Sequence, residues 1–220
     1  MEKKNNRKLT LRIAHKLRMR CSDCFSPWSP SERGFKKRWE KIQKVLFFPL
    51  LKLFVKLHIR PNTISYLSAL VAITGSIYIA YDLHTAGILI FISLILDGLD
   101  GPLARYTDAT TPKGAITDCF TDEISTASLT IAMILNQLVH PLMGSLYLFL
   151  HPIVIMFTVL RNVLNVPNKF VFRGRMIITF VFLYYVFGGI NYLDLVFPPT
   201  VGILLGYSLC DFVYLRKMIR

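Results

Sequence analysis

The sequence predicts an all-α polytopic membrane protein: six transmembrane helices preceded by an amphipathic interfacial helix. Three observations predict it. Of 220 residues, 53% are hydrophobic and only 18% charged, too apolar a balance for an ordinary soluble domain. Six apolar segments recur along the chain, each close to the roughly 20 residues that a helical span requires. Charge is also segregated. Residues 1–60 hold 17 Lys/Arg against 4 Asp/Glu, whereas residues 61–220 hold 9 of each, so the whole excess of +13 sits in the leader.

The elements follow in order. Residues 1–33 are polar and basic and are broken by "SPWSPS", which predicts a flexible cytoplasmic leader near anionic lipid headgroups; a nucleic-acid arm is the lesser reading, and no nucleic-acid partner is expected. Cys21 and Cys24 have a metal-like spacing, but no second pair follows and only His15 is nearby, so no zinc site is assigned. The first 30 residues lack the apolar core of a signal peptide; a mitochondrial-type basic leader is the alternative. Residues 34–58 alternate Lys with Phe, Leu, Val and Trp at near-helical spacing. That pattern predicts a juxtamembrane helix lying in the interface, kinked at Pro49, with a soluble packing or partner-binding helix as the alternative. Residues 59–220 form one membrane domain, with spans expected near 62–81, 85–106, 114–136, 140–161, 174–190 and 196–215. Arg60, Arg105/Lys113, Arg161/Lys169/Arg173/Arg175 and Arg216/Lys217/Arg220 fall at alternate ends of these spans. The other ends, at 82–84, 136–140 and 191–198, hold no Lys or Arg. This asymmetry predicts an even number of spans with both termini on the cytoplasmic side.

Within the apolar body lies "DGLDGPLAR", residues 97–105, followed by Asp118 and Asp122. Asp97 and Asp100 are three apart near the end of the second span, and Asp118 and Asp122 are four apart near the start of the third, so each pair shares a helix face. The link between them is short, which predicts antiparallel neighbouring helices and converging carboxylates. Four acids in a low-dielectric site repel one another. Divalent cations remove the difficulty, and carboxylate, water and phosphate oxygens are the set that Mg²⁺ or Mn²⁺ prefers. Gly98, Gly101 and Ala104 clear one side of the second span, Gly114 does the same for the third, and Pro102 should bend the helix and free the carbonyl of Gly98. Arg105 follows Asp100 by about one turn, placed to contact a phosphate. Together these are the parts of a two-metal phosphoryl-transfer site. Asp108, in the link, is read as a solvated loop acid.

Asp97, Asp100, Gly101, Ala104, Arg105, Gly114, Asp118 and Asp122, at these spacings, fill every fixed position of the signature that this chain resembles, that of the CDP-alcohol phosphotransferase family. The resemblance covers 26 residues directly. It implies that Asp97, Asp100 and Asp118 hold the metals, that Asp122 is the general base and also touches a metal, and that Gly101, Ala104 and Arg105 face the CDP moiety. "RPNTIS" resembles the family's start to its first span, which implies Asn62 as a nucleotide contact; Thr111 is a second nucleotide candidate. Both residues are equally good helix caps.

The implied chemistry is displacement at phosphorus: a CDP-linked lipid donor such as CDP-diacylglycerol passes its phosphatidyl group to a polar alcohol, and CMP leaves. Asp122 takes the proton of the acceptor hydroxyl, so no Ser, Cys or His nucleophile is needed. His58, His84, His140 and His151 are scattered and expected to be mostly interfacial. Arg161, Arg173 and Arg175 flank one connection and are acceptor-binding candidates for a phosphorylated alcohol; positive-inside topology accounts for them equally well. Two other readings stand beside this one: a choline/ethanolamine-type phosphotransferase with diacylglycerol as acceptor, and a divalent-cation transporter using the four acids as a transit site. A homodimer is expected from the resemblance alone.

Overall fold

The computed structural model describes Gly34, Arg38, Glu40, Ile42, Gln43 and residues 46–164, 166–168, 170 and 172–218. The leader 1–33, with Cys21 and Cys24, lies outside the described residues, as do Lys169 and Arg220. All regular structure among the described residues is helical. The helices with defined ends are α1 (Phe48–Lys56), α2 (Pro61–Tyr78), α3 (Leu83–Tyr106), α4 (Pro112–Leu135), α5 (Pro141–Val163), α6 (Gly174–Gly188) and α7 (Leu193–Met218). Glu40, Ile42 and Gln43 are helical as well. Helices α3, α5 and α7 are long and apolar enough to cross a bilayer, and α6 is apolar but shorter.

Sequence chemistry sets most of the ends. Proline stands at the start of α1, α2, α4 and α5, where its missing N–H costs nothing. Pro49 therefore begins a helix instead of kinking one: the chain turns at Phe47 and α1 restarts at Phe48. Asp82 caps α3, accepting from the backbone N–H groups of His84 and Thr85 at 3.1 Å each. The Thr85 hydroxyl and these N–H groups hold the Asp82 carboxyl below its ordinary range. Gly189 ends α6 in the left-handed conformation, φ 78°, which glycine adopts without steric penalty.

Packing follows from small residues. On α2, Ser65, Ser68, Ala69, Ala72, Gly75 and Ser76 are all buried, and their three- and four-residue spacing makes one smooth stripe. Helices α3 and α4 both pack closely on this stripe, while they touch each other little. The expected neighbour relation is thus corrected: α2 is the common support, and the two acid-bearing helices meet through side chains, not backbone. On the other side α5 packs on α7, and contacts of α3 with α6 and of α4 with α5 join the halves. The main core runs through both, with Met133, Tyr147, Phe182, Leu193 and Phe197 at 0% exposure. A second cluster of Leu51, Ile64, Leu99 and Leu103 ties α1 to the ends of α2 and α3.

Hydroxyls packed between apolar helices must find partners. Thr117, Thr121, Ser125, Thr126, Ser128 and Thr130 each donate to a carbonyl four residues back along α4, at 2.8–3.0 Å. This explains how a helix carrying three acids and six hydroxyls sits in a membrane bundle. Helices α3 and α6 meet tightly at Gly87, where a Cβ would lie 2.5 Å from Val186 Cγ1. Gly87→Ala is expected to destabilise the fold by about 1–3 kcal/mol, measured as a fall in thermal unfolding midpoint in detergent; an unchanged midpoint would mean α3 and α6 separate at little cost.

Candidate active site

The carboxylates converge where α3 ends and α4 begins. One oxygen each of Asp97, Asp118 and Asp122 lies within 4.8 Å of the others. Asp100, on the same face of α3 one turn on, is buried and turned towards α2, accepting from Ser65 Oγ at 2.5 Å. The sequence reading did not single out Ser65. The usable signal was its spacing from Asn62, which puts both on one face of α2 just after Pro61.

Arg175, near the start of α6, completes the cluster. Its Nη2 donates to Asp97 Oδ2 at 2.6 Å, and its Nη1 is ion-paired with Asp122 Oδ1. One guanidinium thus bridges the two acid-bearing helices, with charge-assisted bonds to a residue on each. The contact of α3 with α6 fixes where this arginine stands.

The remaining expected residues surround the link 107–111. Thr111 is the N-cap of α4, its Oγ1 accepting from Gly114 N–H at 3.0 Å. A Cβ at Gly114 would lie 3.3 Å from both Asn62 Oδ1 and Thr111 Oγ1, so these two oxygens share one small recess that any side chain would crowd. The carbonyl of Ala104 accepts from Ala109 N–H at 2.8 Å and closes the turn after α3; Asp108 sits in that turn, exposed, at φ 50°. A Cβ at Gly101 would lie 3.3 Å from Arg105 Nη1, whereas one at Gly98 would meet nothing within 4 Å. Gly101 makes room for Arg105, and Gly98 faces open space instead of a packed helix. Arg105 Nη2 donates to Gln43 Oε1 at 3.2 Å and Nη1 is 3.8 Å from Glu40, so the juxtamembrane segment reaches the motif directly.

Arg161 is not drawn into the cluster. Its Nη1 donates to Asp211 Oδ1 at 2.7 Å, its Nε to the carbonyl of Val166 at 3.0 Å, and its guanidinium lies 4.2 Å from the Tyr214 ring centre. Asn168 Nδ2 donates to the other Asp211 oxygen at 3.1 Å. These bonds clamp the connection between α5 and α6 onto α7. Asp211→Ala is expected to cost about 3–5 kcal/mol of stability, because it leaves a largely buried guanidinium without its counter-charge; thermal unfolding in detergent measures it, and a loss below about 1 kcal/mol would show the pair to be solvated. Arg173 stands at the N-cap of α6, two residues before Arg175. His151 is buried, not interfacial, and its Nδ1 lies 3.0 Å from Glu123 Oε1.

The donor set decides which ion fits. Carboxylate oxygens from two helices, with neither Cys nor His among the converging ligands, are hard donors of the kind that hold a divalent cation such as Mg²⁺ or Mn²⁺. With this geometry in hand, the comparison is direct: the family model "CDP-alcohol phosphatidyltransferase" matches residues 58–206, more than half of the chain. The chain belongs to that family.

As a CDP-alcohol phosphatidyltransferase, it is a membrane enzyme that moves a phosphatidyl group from a CDP-alcohol to an alcohol acceptor in phospholipid synthesis. Its fold is similar to that of the Mycobacterium tuberculosis phosphatidylinositol phosphate synthase PgsA1. The crystal structure of that protein in apo form matches with TM-score 0.57 at 15% identity, covering 76% of this chain and 92% of that one. The PgsA1 structure in complex with manganese and citrate matches with TM-score 0.54 at 16% identity, covering 74% and 81%. No curated protein sequence matches this phosphatidyltransferase.

Proposed function

We propose that this enzyme transfers the phosphatidyl group of a CDP-diacylglycerol-type donor to a polar alcohol, using a two-cation site of Asp97, Asp100, Asp118 and Asp122. The observation that supports this is the approach of Asp97, Asp118 and Asp122 oxygens from two helices to within 4.8 Å, with Asp100 one turn away. Bound there, Mg²⁺ or Mn²⁺ would neutralise charge on the donor's pyrophosphate and hold it for in-line attack. Asp122 is the general base, taking the proton from the acceptor hydroxyl as its oxygen attacks phosphorus and CMP leaves. Ser65 holds Asp100 in its rotamer by hydrogen bonding.

The recess of Asn62, Thr111 and Gly114, together with Gly101, Ala104 and Arg105 at the end of α3, is read as the nucleotide side of the site. Arg173 and Arg175 are the acceptor-side candidates, and a phosphorylated alcohol is the acceptor their charge suits. PgsA1 is named a phosphatidylinositol phosphate synthase, in keeping with that class. Arg161 would serve by fixing the connection that leads to them. All six helices α2–α7 are read as spans, with residues 34–58 as the juxtamembrane helix and 59–220 as the membrane domain. The leader and the active site are placed on the cytoplasmic side, in a homodimer.

The experiment is CMP release from CDP-diacylglycerol by purified enzyme in detergent, with inositol phosphate, glycerol 3-phosphate, serine, inositol or diacylglycerol offered in turn. A phosphorylated acceptor is expected to give the fastest release. Release only from CDP-choline or CDP-ethanolamine with diacylglycerol would reassign the donor, and cation flux in liposomes with no CMP formed under any condition would overturn the enzyme reading.

A further inference from the structure

Helix α4 is polar within, yet its hydroxyls bond to itself. The six that donate four residues back all end on carbonyls of α4, and the α2 stripe it packs on is largely Ser, Ala and Gly. Small side chains let two helices approach closely. With no large knob seated in a hole, however, they leave the rotation of α4 about its own axis loosely determined. That rotation matters, because it sets where Asp118 and Asp122 point.

Among the described residues, two side chains tie α4 by charge to the other half of the bundle. Asp122 pairs with Arg175 on α6, and Glu123 with His151 on α5. Asp122 already has a place in the chemistry. Glu123 has none: one residue on, it stands about 100° round the helix and is turned to α5. There His151 Nδ1 lies 3.0 Å from Glu123 Oε1 and 3.2 Å from Oε2. A carboxylate only accepts, so Nδ1 carries the proton and shares it between both oxygens.

His151 is itself held in place. It is 7% exposed. Tyr147, one turn back on α5 and fully buried, has its ring centre 5.3 Å from the imidazole and 5.4 Å from the Phe197 ring on α7. Tyr147 also meets α6: a Cβ at Gly174 would lie 3.6 Å from Tyr147 Cε2, and Gly174 directly precedes Arg175. One turn of α5 therefore stands behind both partners of the Asp122–Arg175 pair, through Glu123 on one side and Gly174 on the other.

We propose that Glu123 and His151 are positioning residues for phosphatidyl transfer: their buried hydrogen-bonded pair, backed by Tyr147, fixes the rotation of α4 and so aims Asp118 and Asp122. A polar pair suits this task, because a bond that only one rotation can satisfy penalises the others. The inference rests on the metal-site and general-base reading above, and its test separates the two.

The test uses the purified full chain in nanodiscs with three readouts: CMP release from CDP-diacylglycerol with the acceptor wild type uses fastest, Mn²⁺ uptake by loss of the free-ion electron paramagnetic resonance signal, and the thermal unfolding midpoint. His151→Phe keeps a ring and removes the donor. It is expected to lower kcat of the folded enzyme by about 10- to 100-fold and Mn²⁺ affinity by about tenfold, with donor KM within about threefold of wild type. His151→Asn loses the ring but sets an amide N–H where Nδ1 stood. It should lower the unfolding midpoint yet keep kcat within about threefold of wild type. Glu123→Leu should match His151→Phe, and the double variant should be within about threefold of either single one. A wild-type kcat in His151→Phe, a kcat in His151→Asn as low as in His151→Phe, or losses that multiply in the double variant would each overturn the proposal. If wild type releases no CMP with any acceptor, the transferase reading fails and the Mn²⁺ series alone decides the positioning. If wild type takes up no Mn²⁺ either, the site reading falls and the inference with it.

Discussion

Asp122→Asn is expected to lower CMP release by about 10²–10⁴-fold, the range over which a positioned general base contributes. The amide keeps the size and one acceptor oxygen of the carboxylate, so Asp97 and Asp118 continue to converge and donor binding should change little. What is lost is the ability to take the acceptor's proton. The loss therefore belongs in kcat, with KM for the CDP-linked donor near wild type, and it should not be recovered by raising the Mg²⁺ or Mn²⁺ concentration. Initial rates over a series of donor and metal concentrations measure both. Recovery to more than about a tenth of wild-type rate at high metal would move Asp122 from proton transfer to cation holding alone. The substitution also removes the negative charge that Arg175 Nη1 pairs with, so Mn²⁺ binding should be recorded in parallel to separate the two consequences.

Asp118→Asn has a different expected signature. Asp118 is not among the acids that Arg175 holds, and its oxygen faces those of Asp97 and Asp122. Replacing it removes one negative ligand from a hard-cation site, which should raise the metal concentration at half-maximal rate by at least about 100-fold. Activity at low metal disappears, and part of it returns at high metal. Removing the metal from wild type with a chelator should likewise abolish CMP release, reversibly on readdition. An Asp118→Asn enzyme with an unchanged metal dependence would show that the cation does not depend on this carboxylate. The pair of variants thus separates the two acids of α4 by kinetics: a metal-insensitive loss for the base, a metal-sensitive one for the ligand.

Much of the site was legible in the sequence. Each acid pair is local, separated by one helical turn, and helical periodicity alone places Asp97 with Asp100 and Asp118 with Asp122. The family resemblance offered Gly101, Ala104 and Arg105 as nucleotide-side candidates, and the structure sets all three on the helix that carries Asp97 and Asp100. Helix positions were legible from apolar length and from proline at helix starts, and helices α2–α7 fall where the apolar segments do. Pro49 shows the limit of local reading: the same residue kinks a helix when interior and starts one when at its first turn, and only the break at Phe47 chooses.

Arginine roles were not legible at all. Arg161, Arg173 and Arg175 stand within 15 residues of one another and looked equivalent by charge. Their partners come from other helices: Asp211 on α7 for Arg161, Asp97 and Asp122 on α3 and α4 for Arg175. The sequence by itself determined which residues share a helix face, because that depends only on the 3.6-residue repeat and on side-chain chemistry. Tertiary structure alone decided which faces meet. The small-residue stripe of α2 sets α3 and α4 on a common support, and the packing of α6 on α3 carries Arg175 to the carboxylates, through contacts whose energies depend on shape across helices distant in the chain.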